Sequence, residues 1–208
     1  MLTRTQAPPP AEPVLVAVAK KDFALARKLL KKSPPAEAWE QLRLEASILF
    51  GEGRRDDAEQ CLQRALREPD CGQRVWRDLA SILAIKGRHA EALPYAKKAH
   101  ELAPQDLESG MMYANCLLDL ARAADVLPLA EHFLQIDPTH RLFRLSKASA
   151  LRSLGRPHES FLLLDEISKD HPDDPVIMRM QADIIAERDS RSGIVLYDHA
   201  LAKTLEKT

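Results

Sequence analysis

The sequence predicts an all-α protein made by stacking one kind of helix pair. Three observations carry this: a fixed 34-residue period, a core composed mainly of alanine and leucine, and a shortage of glycine and aromatic residues. Of 208 residues, 45% are hydrophobic, 5% are aromatic and 7 are glycine. A fixed period takes precedence over individual helix assignments, because a repeat buries its apolar stripe only against its neighbours. Ala46, Ala80, Ala114, Ala148 and Ala182 stand 34 residues apart. Leu49, Leu83, Leu117, Leu151 and Ile185 keep the same step, as do Gly53, Gly87 and Gly155, with Ala121 in the intervening slot. Small residues at recurring contacts let helix axes approach to about 8–10 Å.

Residues 1–13 contain Pro8, Pro9, Pro10 and Pro13 and read as a disordered, proline-rich lead. The apolar run at 14–19 is too short for a secretory signal and follows prolines. Residues 14–38 read as a partial repeat with Ala24 in a small-residue column. The units 39–72, 73–106, 107–140 and 141–174 align without gaps, and 175–208 aligns once a residue is removed near Ser190, which brings Tyr197 and Ala200 into register. Within 73–106, Val75, Trp76, Leu79, Ala80, Leu83 and Ala84 recur at helical spacing. Gly87 then ends the first helix with a left-handed cap. A second helix runs through Ala92, Leu93, Ala96, Ala99 and Leu102 to Pro104. Val126 and Ser160 interrupt a column otherwise held by alanine. Pro94 and Pro128 lie near the starts of second helices, harmless in a first turn and bending if deeper.

These units resemble the tetratricopeptide repeat family. Its pattern runs Trp, two residues, Leu-Gly, two residues, Tyr, then Ala, three residues, Phe, then Pro. Residues 73–106 supply Trp76, Leu79-Ala80, Leu83, Ala92, Ala96, Ala99 and Pro104. The resemblance spans residues 14–205. It implies a right-handed α-solenoid of stacked antiparallel helix pairs, the TPR superhelix, whose first helices line a concave groove. Carried over by register, that groove would present Arg43 and Ser47, Arg77 and Ser81, Met111 and Asn115, Leu145 and Ser149, and Arg179. Phe50 and Arg152 would follow one turn on, with Arg74 at the front edge. The Lys, Asn, Asn, Lys, Arg set with which some members clamp a C-terminal carboxylate is not supplied, since Ser47 follows Arg43 where Asn is needed.

The charge is balanced, with 30 basic and 31 acidic residues and a net charge of −1. No continuous basic stripe with interleaved aromatics emerges, so nucleic acid is not expected as a partner. Residues 1–38 carry seven basic and three acidic side chains, and residues 107–140 one basic and five acidic. Ends of opposite sign favour head-to-tail association, and the missing polar-faced terminal helix leaves an uncapped C-terminal end for a homo-oligomer or for further chain. No run approaches the eighteen apolar residues of a membrane-spanning helix. Three cysteines fit a reducing compartment, and a cytoplasmic location is expected.

No catalytic, metal-binding or cofactor-binding residues are expected. Cys61, Cys71 and Cys116 lack paired spacing, with Cys61 and Cys116 inside helices and Cys71 in an inter-repeat turn. There is no HExxH, no GxSxG and no phosphate-cradling glycine loop. Asp56-Asp57 opens a helix, where negative charge suits the dipole. The function expected is therefore a non-catalytic scaffold that grips an extended peptide or helix of a partner protein, with an acidic part near Arg43 and Arg77 and an apolar anchor near Met111. The alternative for those arginines is pairing with Glu40, Glu45, Asp78 and Glu108 on a solvated face. Two other functions fit the same array: the N-terminal recognition arm of a larger enzyme such as a glycosyltransferase, sulfotransferase or methyltransferase, and a cytoplasmic chaperone or assembly factor of a secretion or pilus system.

Overall fold

The computed structural model describes residues 11–188, and all regular structure among them is helical. The helices come in pairs: α1 (Ala11–Ala19) with α2 (Phe23–Lys32), α3 (Ala38–Gly51) with α4 (Arg55–Ala65), and α5 (Gln73–Ile85) with α6 (His89–Leu102). Then come α7 (Leu107–Asp119) and α8 (Ala123–Ile136), α9 (Arg141–Ser153) and α10 (Pro157–Asp170), and α11 (Pro175–Arg188). Helix α1 begins at Ala11, inside the stretch expected to be a disordered lead. Pro13 lies in its first turn, where a missing N–H costs nothing. The second helix expected in 175–208, with Tyr197 and Ala200, lies outside the described residues.

The alanine column is the contact surface the period implies. Ala46 is 1% exposed, and Ala80, Ala114, Ala148 and Ala182 are fully buried. Each first helix ends in the same turn. Gly53, Gly87 and Gly155 have φ of 83°, 75° and 74°, and Ala121 follows them at 55°. The next N–H then reaches back to close a Schellman motif: Arg54 to the Leu49 carbonyl at 2.9 Å, Arg88 to Leu83 at 2.9 Å, Arg122 to Leu117 at 2.8 Å and Arg156 to Leu151 at 2.9 Å. Lys21, at φ 57°, plays the glycine's part between α1 and α2.

Pro94 and Pro128 fall in the second turn of α6 and α8. Neither therefore occupies the harmless first turn, and each removes one helical hydrogen bond. Ser160 earns its place among alanines: buried, it donates from Oγ to the Ala148 carbonyl at 2.7 Å and ties α10 to α9.

The chain groups into two compact units that divide between Met112 and Tyr113, within α7. In the first unit Val14, Ala17 and Ala26 pack with Leu44 and Ile48, which joins the first helix pair to α3. In the second, Leu145 and Ala148 of α9 pack with Leu164 and Ile167 of α10 and with Ile177 and Ile184 of α11. The rings of Phe133 and Phe143 stack at 4.3 Å, holding α8 against α9.

Candidate functional site

The first helices of the first unit, α1, α3 and α5, enclose a cavity of about 350 Å³. One end is apolar, formed by Leu15 and Val18 of α1 with Phe50 of α3. The other is polar, formed by Arg43 and Ser47 of α3 with Arg77, Asp78 and Ser81 of α5. Four of the groove residues expected from the repeat register thus meet in one place: Arg43, Ser47, Arg77 and Ser81. The serines stay small enough to leave the space open. Ser47 turns its hydroxyl proton to the Arg43 carbonyl at 3.1 Å, within its own helix.

Arg43 is not an open cation. It is 3% exposed, and its guanidinium donates to both Glu40 oxygens at 2.7 and 2.8 Å and to Asp78 at 3.1 Å. Burial alone would lower its pKa, but the bonds to Glu40 and the charge of Asp78 more than offset this, and the pKa is raised. Arg77 donates to Asp78 and Glu108 and lies 3.9 Å from Asp106. Asp106 in turn accepts from the Ser109 N–H at 2.9 Å and hydroxyl at 2.6 Å, capping α7. Burial pushes its carboxyl up, and these two bonds with the arginines bring it below the usual value. Of the two arrangements open to the arginines, the structure displays the paired one, with Glu40, Asp78 and Glu108 as partners.

The remaining expected residues sit apart from this cavity. Arg74 is exposed on α5 and Met111 half-buried on α7. In the second unit, Asn115 and Arg179 are exposed and Ser149 is half-buried. Arg152 is paired with Asp183 at 2.8 Å. Leu145 is 8% exposed and belongs to the second unit's core, so it offers no open apolar surface.

Two features escaped the sequence. Leu15 and Val18 did so because Lys21 lies 32 residues before Gly53, so α1 runs two residues out of the 34-residue register. Aligning the left-handed residues would have placed Leu15 beside Ser47 and Ser81 in one column. The second feature was visible at the right spacing: Arg54, Arg88, Arg122 and Arg156, each three residues before an acid. They pair with Asp57 at 2.7 Å, Glu91 at 2.7 Å, Asp125 at 2.6 Å and Glu159 at 2.7 Å, across every turn between a first and second helix from α3 onward. In the first unit this column is reinforced between pairs, since Glu59 of α4 receives Lys86 at 2.6 Å and Arg88 at 2.9 Å.

Among the described residues, no three His, Cys, Asp or Glu side chains are grouped to hold a metal ion, and no helix is long and apolar enough to cross a membrane. A family model described as tetratricopeptide repeat matches residues 43–106. The chain carries tetratricopeptide repeats. This is the fold of protein-interaction scaffolds. No curated protein matches the chain. Solved structures do. A tetratricopeptide repeat protein from Parabacteroides merdae is 17% identical, with a TM-score of 0.73 over 95% of this chain and 77% of that one. MamA from Desulfovibrio magneticus is 12% identical, with a TM-score of 0.70 over 81% of this chain and 96% of that one. YrrB, described as a TPR protein with an unusual peptide-binding site, is 17% identical, with a TM-score of 0.65 over 85% and 92%. At these identities the likeness is one of fold.

Proposed function

We propose that this tetratricopeptide array is a binding scaffold that holds a segment of a partner protein against α1, α3 and α5. One apolar side chain of the segment enters the cavity beside Leu15, Val18 and Phe50, and its backbone hydrogen-bonds the hydroxyls of Ser47 and Ser81. The carrying observation is the convergence of these residues on one open cavity of about 350 Å³. That volume matches the lower range of small-ligand clefts and suits a side chain better than a folded surface. The peptide-binding site named for YrrB supports the class of ligand. An acidic group of the segment reaches Arg77 rather than Arg43. Glu108, the partner it must displace, is 74% exposed at its side chain, whereas Arg43 is closed in by Glu40 and Asp78.

The test is a peptide library displayed on phage and selected on the intact protein. Synthetic versions of the selected peptides should share an apolar anchor, and should bind Ser81→Trp at least tenfold more weakly while that variant keeps the wild-type helical content. Equal binding to wild type and Ser81→Trp would overturn the assignment of this groove.

A further inference from the structure

Lysines are distributed unevenly over the molecule. Lys86, Lys97, Lys98, Lys147 and Lys169 each lie within ion-pair distance of a carboxylate, at 2.5 to 3.8 Å. Lys20, Lys21, Lys28, Lys31 and Lys32 are all exposed and form no ion pair among the described residues. All five belong to the first helix pair and its turn. Residues 14–36 contain these five lysines and Arg27 against one acid, Asp22. Arg27 is taken by Glu52 at 2.7 Å, and Asp22 caps α2 by accepting the Leu25 N–H at 2.9 Å. The excess positive charge therefore has nothing beside it to neutralise it.

Helical geometry gathers these charges. On α2, Ala26 is buried at the centre of the packed face. Lys28 projects from the opposite face, and Lys31 and Lys32 flank it one turn on. Lys20 and Lys21 mark the other end of this stripe, which is about 16 Å long at 1.5 Å per residue. Two apolar side chains are exposed on the same helix pair, Leu25 at 43% and Val16 at 47%.

We propose that the α1–α2 end of the protein adsorbs to an anionic lipid surface. A basic cluster of this size on an amphipathic helix is attracted by about 1 kcal/mol per lysine near such a surface, or about fivefold in binding. The chemistry of the cluster favours lipid over other anions. Its cations are lysines, hydrated point charges on flexible stems, and not the planar forks that select a carboxylate or phosphate in fixed geometry. It also lacks an exposed aromatic ring on which a base could stack, since the one ring of α2, Phe23, is turned toward Gly51. Leu25 and Val16 suit the boundary between headgroups and acyl chains. This contact uses a different face from the peptide groove and does not depend on it.

Sedimentation of the full chain with phosphatidylcholine vesicles, with and without phosphatidylserine, tests the proposal. Binding is expected only to the vesicles containing phosphatidylserine, with release at high salt. Lys28→Glu/Lys31→Glu/Lys32→Glu should weaken it at least a hundredfold. The milder Lys28→Gln/Lys31→Gln/Lys32→Gln, which spares the end of α2 from charge reversal, should weaken it to a lesser degree. Lys97→Glu/Lys98→Glu on α6 should leave it unchanged. The proposal is overturned if anionic vesicles do not bind, if the glutamine variant binds as wild type does, or if polyglutamate or an oligonucleotide binds more tightly than the vesicles at equal salt.

Discussion

Arg43 of α3 donates to Asp78 of α5 at 3.1 Å, so a buried guanidinium in one repeat is neutralised by a carboxylate of the next. With Glu40 on its other edge, Arg43 joins consecutive repeats along the wall of the groove. Groups that first read as ligand contacts therefore also hold the array together.

Replacing Arg43 by Met should cost about 3–5 kcal/mol, because it strands Glu40 and Asp78 without their shared cation. Urea denaturation measures this. The triple change Arg43→Met/Glu40→Gln/Asp78→Asn should recover most of the loss. A cost under about 1 kcal/mol for the single change, the range of surface pairs, would show that burial adds little here.

The turn after α7 is strained by its side chain. Ala121 adopts φ 55° where its counterparts are glycine. Ala121→Gly should raise stability by roughly 0.5–1 kcal/mol, since left-handed backbone costs an L-residue about 1–2 kcal/mol and glycine gives some of that back in entropy. Gly87→Ala should lower it by about the same amount, although a Cβ there would meet nothing within 4 Å. Thermal melts followed by circular dichroism distinguish backbone strain from crowding.

The cysteines should differ sharply toward a thiol reagent. Cys71 is half-buried in a turn and should react in the native state. Burial pushes the Cys116 thiol up to about 11, with Asp119 adding to it, and burial followed by Glu45 raises that of Cys61. Both should react only after unfolding, so one fast equivalent is expected in buffer and three in denaturant. More than one fast equivalent would show that these helices open readily.

Acid should loosen the array. Burial pushes the carboxyls of Glu59, Asp106 and Asp174 up, but hydrogen bonds and cations more than offset it, and all three titrate below their ordinary values of 4.5 for Glu and 3.8 for Asp. A carboxyl whose pKa is lower in the folded state stabilises the fold above its unfolded value, and that stability is lost as pH falls through the folded value. The melting temperature should be level from pH 7 to about 5 and drop below about 4.5. Glu59→Gln should reduce the steepness of that drop. An unchanged slope would mean that Lys86 and Arg88 hold Glu59 no better than solvent does.

Much of this architecture was legible because it depends on backbone spacing. Ala46 through Ala182 had to recur at one step for helices to nest, and a left-handed residue had to recur at Gly53, Gly87, Ala121 and Gly155 for each pair to reverse direction. The side-chain pairing was less accessible. Whether Arg77 faces a ligand or Glu108 is decided by rotamers of long, flexible side chains, which period and composition do not constrain. Leu145 occupies a groove column by register, yet in α9 its side chain joins the core with Leu164 and Ile167. The apolar end of the cavity was missed for a purely geometric reason: the turn at Lys21 shifts α1 by two residues.

The arginine three residues before an acid recurs at each turn from Arg54 to Arg156, and both members of the pair lie within the same 34 residues. A duplication or excision of one such stretch would carry cation and counter-ion together and leave no orphaned charge at the splice. Changes in array length are thus electrostatically silent at the turns, so evolution could lengthen or trim this binding surface by whole modules without redesigning the junctions.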